Sequence, residues 1–186
     1  TNPFGSEPYE CDEYHVHENQ INYQLNMMME DSFAKTIIKH WIAGFGLTLW
    51  INNDFKWNYY MSSNEIIKQE ILNAAKNAMS KGLSLFEIKN DRITITDHNG
   101  GYFTGYDVLN GSNGDVGGFE YLGMIYKLKG HTYVGGEFTF HDIVDVNPDY
   151  DSDKLYYKLM KTLVMQSGHG VDYNIHITCK YTYMIN

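Results

Sequence analysis

The most regular hydrophobic pattern in the chain runs through residues 138–146, where apolar and polar positions alternate. The apolar side chains recur on one face, at Phe138, Phe140, Val144 and Val146. This period of two is typical of a strand with one buried face. The same alternation places Asp142 on the apolar face. A carboxylate there is costly unless it is paired, hydrogen-bonded or protonated, so the pattern marks Asp142 as a candidate functional residue.

Two helical patterns precede this strand. Apolar residues fall on one stripe with helical spacing between residues 21 and 42, and Gly44 and Gly46 follow the end of that stripe. A second stripe predicts a helix over 64–81, capped by Ser62 or Ser63, with an apolar face made of Ile67, Ile71, Ala74, Ala75 and Ala78.

After Gly82 the period changes from that of helices to that of strands. Strands are predicted over 83–89, 92–97, 102–109, 119–128, 132–147, 172–178 and 181–185, with a bulge at Gly135-Gly136 and one late helix near 153–166. This order predicts an α+β fold: a bent antiparallel sheet or partial β-barrel, packed by the N-terminal helices and the late helix.

The length of 186 residues and the hydrophobic content of 43% favour a single domain over 1–186. It divides into an irregular segment 1–20, a mainly helical part 21–82 and a mainly β part 83–186. No apolar run approaches the roughly 20 residues that a membrane-spanning helix needs. The chain begins at Thr1 without an initiator methionine, which predicts a mature chain or a fragment of a larger protein.

The formal net charge is −9, and Arg92 is the only arginine. This balance argues against a nucleic-acid binder, which needs basic side chains facing phosphates. It favours a basic protein partner instead. Cys11 and Cys179 are far apart in the sequence, and either two free thiols or one long-range disulfide fits that spacing. Neither cysteine is expected to act as a nucleophile.

Acidic residues continue beyond the strand. Asp145, Asn147 and Asp149 have the spacing that begins a calcium-binding loop, but Tyr150 and Tyr156 stand where such a loop needs glycine and glutamate. A looser Mg²⁺ or Ca²⁺ site with several water ligands fits the same residues. The metal ligands expected from this stretch are Asp142, Asp145 and Asp149.

A second interpretation makes Asp142 and Asp145 an acid–base or metal-assisted pair for hydrolysis. Three positions apart in a flat strand, the two side chains point to opposite faces. They converge only where the strand bulges or ends between them. In a third interpretation, the acidic stretch is structural and the chain is a binding module.

His40 lies in the last turn of the first predicted helix, beside Trp41. A histidine at that position is favoured by the helix dipole, and it is also a candidate catalytic residue together with Asp142, Asp145 and Asn147.

The segment from about Gly135 to Ile177 resembles the C-terminal catalytic domain of the colicin M family of bacteriocins. That family has a strand ending in Asp-x-Tyr-Asp, a polar turn, a helix, a glycine break and a closing strand. Asp142 and Asp145 match the two aspartates, and Val144 stands at the tyrosine position. The His-Arg pair of the family would fall at Ser152-Asp153. The segment 40–46 is also similar to a segment found in polymorphic toxins.

The resemblance implies a secreted antibacterial toxin domain that hydrolyses lipid II, a pyrophosphate-linked peptidoglycan precursor, in the periplasm of the target cell. It further implies a divalent cation, Mg²⁺ or Ca²⁺, a lipid-linked substrate at a membrane surface, and an immunity protein that protects the producing cell. The alternatives are a non-enzymatic module that binds a protein or glycan, and another metal-dependent hydrolase.

Overall fold

The computed structural model describes residues 23, 25, 26, 29, 31–90, 92–96, 104–110, 117–145 and 170–186. Within these residues the chain forms the helices α1 (Ser32–Ile42), α2 (Phe55–Ser62), α3 (Glu65–Ser80) and α4 (Gly105–Asn110), and the strands β1 (Leu49–Asn52), β2 (Leu85–Asn90), β3 (Gly118–Leu128), β4 (His131–Val144) and β5 (Tyr173–Ile185). The predicted α+β class is confirmed. The late helix near 153–166 and the segment 1–20 lie outside the described residues.

The five strands form one open sheet in the order β1-β5-β4-β3-β2. β2, β3, β4 and β5 are antiparallel neighbours, whereas β1 runs parallel to β5. The sheet is therefore mixed, and it does not close into a barrel. β4 is the central strand, so both of its edges are hydrogen-bonded within the sheet.

The two faces of the sheet differ. One face of β4 carries the buried side chains Val134, Phe138, Phe140 and Val144. Helix residues such as Ile37, Met61 and Ile71 pack into the same core. The other face, here called the outer face, carries exposed side chains, among them Leu122, Met124 and Ile143. Burial of apolar side chains on one face fixes the register, because a slip by one residue would move the whole apolar set to the outer face.

The helices begin at polar caps. The carboxylate of Asp31 accepts a hydrogen bond from the backbone N–H of Ala34, and Asp54 does the same for Lys56 and Trp57. Each side chain satisfies backbone donors that have no partner inside the helix. None of the described helices is both long and apolar enough to cross a membrane.

Several local predictions were wrong. The stripe over 21–42 is not one helix, because Met29 forms a β-bridge and Asp31 has an extended backbone before it caps α1. Residues 105–110 are a helix rather than part of a strand over 102–109. The register of β4 runs without interruption through Gly135 and Gly136, so there is no bulge there. The strands predicted over 172–178 and 181–185 are the single strand β5.

The buried N-cap of α3 gives a testable expectation. Asn64 accepts the N–H of Ile67 at 3.0 Å and donates to the carbonyl of Ile95 at 2.7 Å. Asn64→Ala leaves two buried backbone groups unpaired, and we expect a loss of about 2 kcal/mol in the free energy of unfolding, measured by urea denaturation. Asp54→Ala is the matched control, because that cap is exposed; we expect a loss of about 1 kcal/mol. Equal losses in the two variants would contradict the expectation.

Candidate functional site

Asp142 lies two residues before the end of β4, on the face that packs against the helices. Its neighbours on that face, Phe140 and Val144, are buried, and Asp142 itself is partly buried. The predicted face of Asp142 is therefore confirmed. Most of the carboxylates in the described strands are exposed; this one is held at the edge of the apolar core.

Gly117 provides the space for this carboxylate. A Cβ atom added at Gly117 would lie 2.6 Å from Oδ1 of Asp142, which is closer than real side chains approach. The backbone N–H of Ile143 donates to the same Oδ1 at 2.8 Å. Gly117, directly before β3, is therefore a residue on which the position of Asp142 depends.

Asp145 follows the last residue of β4 directly and is exposed. The strand therefore ends between Asp142 and Asp145, which is one of the two conditions under which their side chains can turn toward a common point. The structure does not bulge at this position, since the pairing of β4 with β5 is regular up to Val144 and Tyr173. Asn147 and Asp149 lie outside the described residues, and their roles stay predictions.

The ring of His40 contacts Tyr173, at the end of the sheet where β4 ends. The two rings are in edge contact with centroids 4.4 Å apart, and Tyr173 is the strand partner of Val144. Nε2 of His40 lies 2.7 Å from the carbonyl oxygen of Leu47. His40 is in the last turn of α1, as predicted. Its neighbours bring it near the strand end that carries Asp142.

The link between α1 and β5 is specific. The indole N–H of Trp41 donates to Asp172 at 3.0 Å, and the hydroxyl of Tyr173 donates to the carbonyl of Ile37 at 2.6 Å. Burial raises the pKa of Tyr173 above its ordinary value, so this hydroxyl stays protonated and acts as a donor. A Cβ at Gly170 would clash with the ring of Trp41, so Gly170 also belongs to this junction.

The outer face of the sheet carries a second group at the same end, which the sequence analysis did not identify. Trp50 and His176 are stacked with centroids 4.3 Å apart, and the rings of His176 and His141 have centroids 6.0 Å apart. A Cβ at Gly118 would lie 2.2 Å from the ring of His141. The consecutive glycines 117 and 118 thus make room for Asp142 on one face and for His141 on the other.

A polar junction joins three helices away from this end. The carboxylate of Asp31 accepts the hydroxyl of Tyr60 at 2.5 Å and the backbone N–H of Gly105 at 3.1 Å. Burial, followed by the hydrogen bond to Asp31, raises the pKa of Tyr60. Tyr60 lies between the stacked rings of Phe33 and Tyr106. These contacts position α1, α2 and α4 relative to one another.

Cys179 is a buried free thiol on β5. Its Sγ lies 3.8 Å from the carbonyl of Trp57. Burial, and secondarily the charge of Asp54, raises the pKa of Cys179 to about 12. Since the thiolate is the nucleophilic form, Cys179 is unsuited to nucleophilic catalysis.

The donor set at Asp142 and Asp145 is small. Among the described residues, no group of three or more histidine, cysteine, aspartate or glutamate side chains could hold a metal ion. Magnesium does not require such a group, because it is commonly held by one or two carboxylates together with waters and substrate phosphates. Asp142 and Asp145 supply that number of carboxylates at the end of β4.

The comparisons with known proteins found no family model, no curated protein and no solved structure that matches this chain.

Proposed function

We propose that this chain is an antibacterial toxin domain that hydrolyses a pyrophosphate-linked cell-envelope precursor of the lipid II type. The observation that carries the proposal is the position of Asp142, a carboxylate kept at the edge of the apolar core where β4 ends. A carboxylate on the apolar face of a strand departs from the local pattern, and such departures are common at functional sites.

The proposed roles follow from the surroundings of each side chain. Asp142 holds the cation or orients the attacking water, because Gly117 and the N–H of Ile143 fix its carboxylate. Asp145, exposed beyond the strand, accepts the proton of that water or serves as a second ligand. His40, against Tyr173, is the candidate proton donor to the leaving group. Asn147 and Asp149 are proposed to add oxygen donors beside Asp142 and Asp145.

The charge of the chain explains why a cation belongs to the proposal. The chain has a formal charge of −9 and one arginine, so its net charge opposes the binding of a pyrophosphate. A bound Mg²⁺ or Ca²⁺ would supply positive charge and Lewis acidity at the phosphoryl oxygens. The side chains of the protein orient the substrate and move protons.

The proposed setting is the periplasm of a target cell, reached by secretion or delivery as part of a larger protein. The substrate lies at a membrane surface. We propose a basic immunity protein as the partner in the producing cell, because an acidic surface favours a basic one.

A non-enzymatic module that binds a protein or glycan is the second candidate. The outer face of the sheet favours it, because large apolar side chains are exposed there on adjacent strands: Leu85, Leu122, Met124, Leu128, Ile143 and Met184. Extended apolar surface is common at interaction sites.

The test is an assay of the purified chain on lipid II. We expect release of the pyrophosphate-linked headgroup in the presence of Mg²⁺ or Ca²⁺, and loss of that release when EDTA is added in excess. Product is measured by chromatography and mass spectrometry. Folding in EDTA is checked by circular dichroism, so that loss of activity is separated from loss of structure. No product at any concentration of either cation would reject the enzymatic proposal and favour the binding module.

A further inference from the structure

Two histidines are neighbours across the central strands on the outer face. His141 of β4 is the direct cross-strand partner of His176 of β5. Opposed residues in an antiparallel pair have Cβ atoms roughly 5 Å apart. His141 is exposed and His176 is partly exposed, so both imidazoles are open to solvent from the same side.

The separation of the two rings suits a shared metal ion. A metal–nitrogen bond of about 2.0–2.1 Å places an imidazole centre roughly 3.2 Å from the ion. Two imidazoles on one ion then have centres about 4.5 Å apart for a right-angled arrangement and about 6.4 Å apart for a linear one. The centroids of His141 and His176 are 6.0 Å apart, which lies within this range, and the ring planes are at 29° to each other. Because the lone pairs of an imidazole lie in the plane of its ring, a shared ion requires the exposed ring of His141 to turn about its side-chain torsions from this stacked arrangement.

The surroundings leave the ring nitrogens available. Within the described part of the chain, neither His141 nor His176 makes a hydrogen bond or salt bridge through its ring. The ring of His141 lies over Gly118, where a Cβ would come within 2.2 Å of Cε1 and of Nε2. The indole of Trp50 stacks on the ring of His176, with an angle of 15° between the two ring planes. The glycine and the indole beside the two imidazoles do not compete for their nitrogens.

We propose that His141 and His176 form a two-histidine site for a divalent transition-metal ion such as Zn²⁺, with water completing the coordination. Imidazole suits Zn²⁺ and Cu²⁺, whereas Mg²⁺ and Ca²⁺ prefer oxygen ligands. This site is on the opposite face of the sheet from Asp142 and does not rest on the proposed hydrolase activity. The two sites are also distinguished by the metals they select.

Trp50 provides a direct probe of the site. It is the exposed tryptophan, at 61%, whereas Trp41 and Trp57 are buried at 3% and 8%. A Cu²⁺ ion bound to His176 lies close to the stacked indole of Trp50 and quenches its fluorescence. We expect saturable quenching on Cu²⁺ titration, reversal by EDTA, and loss of most of the quenchable emission in Trp50→Phe.

Histidine variants identify the ligands. We expect His141→Gln and His176→Gln each to raise the Cu²⁺ concentration at half-maximal quenching at least about tenfold. That factor is equivalent to about 1.4 kcal/mol. His131→Gln is the matched control, because His131 is exposed on the same strand and the same face. It should leave the midpoint unchanged. His15 and His17 flank Val16 in the sequence and are a second histidine pair of a type that can bind metal. Metal held by that pair would persist in all of these variants.

A stability measurement tests Zn²⁺ without relying on fluorescence. The two histidines come together only in the folded sheet, so bound Zn²⁺ raises the melting temperature of the wild type by mass action. We expect a rise of several degrees in ~1 mM Zn²⁺, roughly 2–4 °C for each kcal/mol of binding, no rise in Mg²⁺, and no rise in the two histidine variants. An unchanged quenching midpoint in both variants, or an equal rise in melting temperature without His141 or His176, would overturn the site.

Discussion

Asp142→Asn is expected to reduce hydrolysis of lipid II by at least about 10²-fold, a typical factor for loss of a proton-transfer or ligand group, while the protein stays folded. The amide has nearly the shape of the carboxylate, so it fits beside Gly117 and its oxygen still accepts the N–H of Ile143. What it loses is the negative charge. A group that is structural would tolerate that change, whereas a metal ligand or general base would not.

The measurement pairs the cleavage assay with a thermal melt of the same preparation. Glu120→Gln is the matched control, because it neutralises an exposed carboxylate on the adjacent strand β3. We expect the control to keep both activity and melting temperature. The melting temperature of Asp142→Asn should stay close to that of the wild type, because the amide keeps the shape of the carboxylate and its oxygen still accepts the N–H of Ile143. A folded Asp142→Asn protein with full activity would remove the basis of the proposed function.

The strands with the clearest period of two were predictable from sequence. Residues 119–128 and 132–147 were expected as strands, and β3 and β4 run over Gly118–Leu128 and His131–Val144. Alternation also gave the face of Asp142. It succeeds here because one face of the sheet is buried against helices, so side-chain polarity follows the pleat directly.

Helices α2 and α4 were not predicted from the apolar pattern, although the sequence contains an N-cap signal for each. Thr104 and Asp107 exchange side-chain and backbone hydrogen bonds at the start of α4, which is a capping box with aspartate in place of glutamate. Asp54 is likewise the N-cap of α2. Both helices are short, and their apolar residues do not fall on one clear stripe, so the cap is the more informative feature.

The histidine pair of the outer face could not be predicted from sequence. It depends on the register of β4 against β5 and on β1 lying parallel beside β5, which brings Trp50 next to His176. The roles of Gly117 and Gly118 are equally non-local, because the space beside each glycine is occupied by a side chain of the neighbouring strand β4. Local periodicity carries no information on strand order.

Phe138→Ala is expected to cause the largest loss of stability among single substitutions in β4. Phe138 is fully buried on the central strand and contacts the rings of Phe119, Tyr121 and Phe140. Replacing a buried phenylalanine by alanine removes apolar contacts and leaves a cavity, which typically costs about 3–5 kcal/mol. Domains have total stabilities of about 5–15 kcal/mol, so this loss is a large fraction of the whole.

Urea denaturation followed by circular dichroism measures the loss, with the slope of the transition as a check that the unfolded state is unchanged. Leu122→Ala is the matched control: it also shortens a large apolar side chain next to the centre of the sheet, but Leu122 is 60% exposed on the outer face. We expect the control to change stability by less than about 0.5 kcal/mol. Similar losses for the two variants would mean that the outer face is also covered, and the assignment of a buried and an exposed face to β4 would then be wrong.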